Sequence, residues 1–161
     1  MIKKKQKILF LFFICFSIYC ALTIGQGWDE EALTNQGKIA VNYLLSLGRI
    51  EVDIFRREYY SPIYYSLKFL FIQILPIKYQ IEASHVINLF FSLGTIIGIK
   101  KICKELFNEN VGKIVFLLLF FYPIFFGHMS INNKDTILAF SHVWIVYLIL
   151  RYLKNQYIKK K

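Results

Sequence analysis

The stretch Pro62-Ile63-Tyr64-Tyr65-Ser66-Leu67-Lys68-Phe69-Leu70-Phe71-Ile72-Gln73-Ile74-Leu75-Pro76-Ile77 decides the architecture. It is apolar enough to be read as a membrane span, and whether it crosses fixes which side every later loop occupies. Four other apolar stretches flank it: Ile8–Ile24, Ala83–Ile99, Ile114–Phe126 (extendable to Met129) and Thr136–Leu153. If all five crossed, the lysines at the N-terminus and Lys100, Lys101, Lys104 and Lys113 would lie on opposite sides. Cytoplasmic loops ordinarily hold the Lys/Arg excess, so five spans conflict with the charge pattern. Residues 62–77 are the weakest candidate. Prolines bracket the stretch, Lys68 and Gln73 interrupt it, and Tyr60, Tyr64 and Tyr65 give it an interfacial character. It is therefore expected to lie in, or dip into, the outer interface.

Four spans then remain, at about 8–25, 83–100, 113–129 and 136–153, with an outer loop at 26–82. The expectation is an all-α polytopic membrane helix bundle: four transmembrane helices plus interfacial helices at about 31–48 and 62–77 in the first outer loop. In the first of these, Lys38, Asn42 and Ser46 recur at i, i+4 and i+8 and make one polar stripe. Lys68 is expected to snorkel from the second. The segment Met1-Ile2-Lys3-Lys4-Lys5-Gln6-Lys7 followed by Ile8–Ile24 also fits a signal peptide. The run is long for that and lacks a small-x-small cleavage site, so a retained anchor is the reading adopted.

Composition agrees. The 161 residues are 57% hydrophobic, 18% aromatic and 19% charged, against roughly 45–50% apolar and 25% charged in soluble domains. The net charge of +10 sorts by side. The inner segments carry 13 basic residues against Glu105 and Glu109, leaving seven basic and eight acidic residues outside. The charge is thus a topology signal with both termini cytoplasmic, and calls for no nucleic acid partner. An integral protein of a bacterial inner (plasma) membrane is expected. Three cysteines at 15, 20 and 103 form no disulfide framework.

Two acidic sites fall at the outer rim: Trp28-Asp29-Glu30-Glu31 after the first span, and Asp135 in Gly127-His128-Met129-Ser130-Ile131-Asn132-Asn133-Lys134-Asp135 after the third. Carboxylates at a membrane boundary can serve as a general base or hold a cation. They can equally be solvated helix caps, and Asp135 directly precedes the fourth apolar stretch. His128 reads as an interfacial histidine or as a ligand. Lys134 either pairs locally or contacts an anionic phosphate. His85 and His142 read as bundle or interface residues. No GxxxxGK[ST], GxGxxG, GxSxG, HExxH or cysteine cluster occurs. Charges within spans are too few for a proton relay or a voltage sensor, and no broken or charged span supports a transporter subunit.

The order of these features resembles the N-terminal part of GT-C membrane glycosyltransferases, the dolichyl-phosphate-mannose–protein mannosyltransferase-like group that includes aminoarabinose transferases. The residues carrying the resemblance are Asp29-Glu30 after the first span and Tyr59-Tyr60-Ser61-Pro62 opening the second outer helix. The turn Lys104-Glu105-Leu106-Phe107-Asn108 and Phe126-Gly127-His128-Met129 with Asn133-Lys134-Asp135 complete it. Asn133 stands where some bacterial members have proline. The resemblance implies transfer of a sugar from a polyprenyl-phosphate donor to an acceptor hydroxyl on the outer face. It implies Asp29 as catalytic base with Glu30 supporting it. It places Asp135, Lys134 and His128 near the donor phosphate, with Asp135 as the candidate ligand of a divalent cation (Mg or Mn). Family members have more spans, so the chain is expected to be an N-terminal part or truncated form that pairs with a missing C-terminal half or a partner subunit. The alternative is a noncatalytic small membrane protein, a subunit or relic of such an enzyme.

Overall fold

A computed structural model of the chain describes residues 2–49 and 62–159. Among them every regular element is a helix. The helices are α1 (Ile2–Thr23), α2 (Glu30–Leu45), α3 (Pro62–Ile72), α4 (Gln80–Leu106), α5 (Glu109–Phe121), α6 (Pro123–His128) and α7 (Asp135–Lys159), with a 3₁₀ turn at Ile77–Tyr79 before α4. Tyr59, Tyr60 and Ser61, which open the expected second outer helix, lie outside the described residues, as do Lys160 and Lys161 of the basic terminus.

Among the described residues two helices are long and apolar enough to cross a membrane: the continuous helical stretch Ile77–Leu106 and Asp135–Tyr157. The apolar helices Ile8–Thr23 and Ile63–Ile72 are shorter. The expected outer helix at 62–77 ends earlier, at Ile72, and the chain turns before Pro76. The expected span at 113–129 is two helices. Pro123 lacks the N–H that would continue the helical ladder, and Tyr122 before it is extended (ψ 113°), so α5 stops at Phe121 and α6 begins afresh.

The chain forms two compact units, Met1–Ile87 and Asn88–Lys161, divided within α4. In the first unit α2 packs on α3. The buried positions of α2 are Glu30, Leu33, Gly37 and Val41, a stripe at helical spacing. Lys38 and Asn42 face outward, as their spacing predicts, and Ser46 caps the end of the helix. Gly37 marks the crossing, where a Cβ would stand 2.7 Å from the backbone carbon of Tyr65. From α3, Tyr65, Ser66, Lys68 and Ile72 are buried.

In the second unit α7 packs against α4 at two glycines one turn apart. A Cβ on Gly94 would meet the Phe140 ring, and one on Gly98 would meet Val143. This small-xxx-small spacing lets the helices approach closely. The Trp144 indole N–H donates to the Gly94 carbonyl at 3.2 Å. Asn108 caps α5, its side-chain oxygen accepting from the N–H groups of Asn110 and Val111, both at 3.0 Å.

Candidate functional site

In the first unit, polar side chains from three helices converge in an otherwise apolar interior. Glu30 opens α2, and its Oε2 accepts from the Gly27 N–H at 2.7 Å. That contact folds the segment entering the helix back onto its first turn. The same oxygen lies 2.8 Å from His85 Nε2 on α4. His85 is fully buried, and its Nδ1 lies 3.1 Å from the Ala21 carbonyl of α1. A carbonyl can only accept, so Nδ1 carries a proton. The Glu30–His85 contact is thus a direct, buried carboxylate–imidazole hydrogen bond between α2 and α4.

Beside it, Lys68 of α3 is only 2% exposed, and its ammonium donates to Ser84 Oγ on α4 at 2.9 Å. The Lys68 nitrogen also lies 5.9 Å and 6.0 Å from the Tyr64 and Tyr65 ring centres. The snorkelling expected of Lys68 does not occur. α3 presents this residue to the helix interface and not to its outer face, so the stem cannot carry the charge to water.

Burial works against every charge here. By itself it would raise the Glu30 carboxyl. The hydrogen bonds from His85 and Gly27 and the positive charges of His85 and Lys68 outweigh it, holding Glu30 below its ordinary value of 4.5. For Lys68 burial prevails over attraction to Glu30, and its pKa falls to about 8. Burial, with Tyr65 and the Glu30 charge, pushes the Tyr64 phenol up.

Glu30 and Ser84 also line a cavity of about 170 Å³, with Gln26, Glu31, Thr34, Asn35 and Gln80 supplying polar groups and Ile72, Ile77 and Ile81 apolar walls. Ile72 also lines a second, apolar cavity of about 520 Å³ with Leu22, Phe71, Leu75, Val86 and Ile87. Glu82 lines this groove too, and its Oε2 is buried with no hydrogen-bond partner among the described residues.

The residues singled out from sequence separate. Asp29 is the half-exposed N-cap of α2 and makes no side-chain capping bond. Glu30, expected only to support it, is the buried member that lines the cavity. In the second unit Asp135 is exposed at the start of α7, with Oδ2 accepting from the Asn132 amide at 2.9 Å. Asn132 Oδ1 accepts from the N–H groups of Lys134 and Asp135, at 3.2 and 3.0 Å. His128 is exposed and Lys134 half-buried. The helix-start reading of this turn is thus realised by Asn132. Asn133 is buried and hydrogen-bonded to Asn88, which also donates to the Ser130 carbonyl at 2.9 Å. Ser92 donates to the Met129 carbonyl at 2.8 Å. Among the described residues no three His, Cys, Asp or Glu side chains are grouped to hold a metal ion.

Of the residues that carry the cluster with Glu30, Lys68 was expected to snorkel and His85 to be a bundle or interface residue, and Ser84 drew no expectation from sequence. The available signal was a lone lysine in an apolar helix and a Ser-His pair opening a long one. No spacing rule connects residues 16 and 17 positions apart across a turn.

Among the described residues the fold is all-helical, with two apolar helices of membrane-spanning length and a buried carboxylate–imidazole–ammonium cluster beside a small polar cavity. No known family model matches the chain, and neither a curated protein nor a solved structure matches it.

Proposed function

We propose that the chain is a four-span protein of a bacterial inner membrane. Its outer-face segment Asp29-Glu30 serves transfer of a sugar from a polyprenyl-phosphate donor to an acceptor hydroxyl. The observation that carries this reading is the environment of Glu30, a buried carboxylate held ionised by His85 and the Gly27 N–H beside a polar cavity. A carboxylate stabilised in this way is a weak base. Its part is to fix the Gly27–Glu30 turn, while the half-exposed Asp29 takes the acceptor proton. The acceptor oxygen then attacks the anomeric carbon, the carbon–phosphate oxygen bond breaks, and the polyprenyl phosphate departs. Asp135, Lys134 and His128 belong to the donor-phosphate side of this reading.

Membranes containing the chain, supplied with a radiolabelled polyprenyl-phosphate sugar, should transfer label to an acceptor and lose that transfer in Asp29→Asn. Transfer indifferent to the substitution removes Asp29 as base. A second reading, a noncatalytic membrane subunit, is favoured by α7. Only 6% of the most apolar window of Asp135–Tyr157 is buried within the fold, against 33% for Ile77–Leu106. Such a face suits lipid or a partner helix. Complete absence of transfer by correctly inserted chain supports this second reading.

A further inference from the structure

The contact between Lys68 and Ser84 has the form of a nucleophile with its base, and it is independent of the glycosyl-transfer reading. Ser84 Oγ lies 2.9 Å from Lys68 Nζ. Ser84 faces the polar cavity, whereas Lys68 is absent from the cavity wall and stands behind it. A hydroxyl at a cavity wall backed by a buried amine at hydrogen-bond distance is the arrangement of serine–lysine acyl transfer. We propose that Ser84 is a catalytic nucleophile activated by Lys68, and that the site cleaves a neutral fatty-acyl ester.

The surroundings select that substrate class. Glu30 and Glu31 line the polar cavity and disfavour an anionic acyl donor. The apolar cavity shares Ile72 with it, and the first turns of α4 line both on adjoining faces: Gln80, Ile81 and Ser84 in one, Ala83, Val86 and Ile87 in the other. On this proposal the acyl chain of an ester bound at Ser84 passes Ile72, the residue common to both cavities, into the apolar groove. Glu82, lining the same groove, offers an acceptor for a hydroxyl on the bound ester. The amides of Gln26 and Asn35 and the Thr34 hydroxyl are among the donors lining the cavity that can serve a developing oxyanion.

In the first step neutral Lys68 takes the Ser84 proton as Oγ bonds to the ester carbonyl carbon. The tetrahedral oxyanion collapses, the bond to the alcohol oxygen breaks, and Lys68 returns the proton to that oxygen. Water then attacks the acyl-serine, with Lys68 taking its proton and passing it to Ser84 Oγ as the fatty acid leaves. The sum is ester plus water giving acid plus alcohol. Among the described residues, the groups facing Lys68 include Glu30 from α2, Tyr64 and Tyr65 on its own helix, and Ser84 from α4, with His85 bonded to Glu30. The balance of burial over the Glu30 charge makes the neutral amine accessible near pH 8.

The test uses the full chain purified in mild detergent and an alkyl fluorophosphonate with a decyl chain. Ser84 Oγ bonds to phosphorus as fluoride leaves, with its proton going to Lys68. Peptide mass spectrometry should place the adduct on Ser84. Its rate should climb about tenfold per pH unit from about pH 6 and level off above about pH 8. Lys68→Arg, which keeps the charge and cannot act as base, should slow labelling by at least about a hundredfold. Unmodified Ser84 in wild-type protein of intact helical circular dichroism at about pH 9 overturns the proposal. So does a rate that is flat with pH, or labelling of the arginine variant at the wild-type rate.

Discussion

Replacing Lys68 by Met tests whether the buried ammonium is kept at a cost in stability. Met reproduces the length of the lysine stem and can fill the same space between Tyr64, Tyr65 and α4. The ammonium has an ordinary pKa of 10.5 and falls to about 8 in the folded chain. Below both values the lysine is charged folded and unfolded, and the folded state bears the whole cost, roughly 3 kcal/mol. Between them the folded chain releases its proton first, so the cost shrinks as pH rises and is gone above the ordinary value. Two contributions oppose the gain from Met: the hydrogen bond to Ser84, about 1 kcal/mol, and the ring contacts at 5.9 and 6.0 Å, about 0.5–1 kcal/mol. The net expectation is a variant more stable by about 1–2 kcal/mol near pH 7, with the advantage disappearing or reversing near pH 10. Denaturant unfolding in mild detergent, followed by far-ultraviolet circular dichroism at both pH values, reads it. A variant less stable near neutrality, or a difference that does not move with pH, refutes the reasoning. The expected gain should come with loss of fluorophosphonate labelling, since a group retained against stability is one that function holds in place.

Glu30→Gln should cost about 1–3 kcal/mol near neutrality by turning charge-assisted hydrogen bonds into neutral ones. Because the Glu30 carboxyl sits below its ordinary value, its stabilisation is present above that value and lost as pH falls through the folded one; the gap between variant and wild type should close in acid unfolding curves. Gly37→Ala, favourable by about 1 kcal/mol on helix propensity, should instead destabilise by about 1–3 kcal/mol, because its Cβ meets the Tyr65 backbone; a more stable alanine variant contradicts the α2–α3 crossing. Asn133→Ala should cost about 1–3 kcal/mol in thermal unfolding by depriving buried Asn88 of a partner. Asp135→Asn, at an exposed helix start, should stay within about 0.5 kcal/mol. A reporter fused after Ile77 should register on the outer side of the membrane, and a cytoplasmic signal breaks the four-span arrangement.

Much of the helical order was legible in the chain. Pro62 opens α3 and the outward stripe of Lys38 and Asn42 follows from their spacing, because each depends on contacts within a few residues. The break at Pro123 was equally local, yet hydropathy averaged across it and suggested one span. The turn at 127–135 drew notice for Asp135, whereas its buried member is Asn133, held by Asn88 45 positions earlier.

By itself the sequence determined an all-helical, strongly apolar chain with its positive charge in a few segments, since composition and short-range periodicity suffice for that. Only the tertiary structure decided which polar residues would be buried together. Glu30, Lys68, Ser84 and His85 stand on three helices and share no motif. They meet because Gly37 lets α2 lie against Tyr65 of α3, which turns Lys68 inward toward Ser84, while the Gly27–Glu30 contact aims the carboxylate at His85. The same lysine on a freely exposed helix face would extend to water. Enclosed by α2, α3 and α4, it becomes an amine of lowered basicity beside a serine hydroxyl, because a charge shut away from solvent is costly in proportion to its burial.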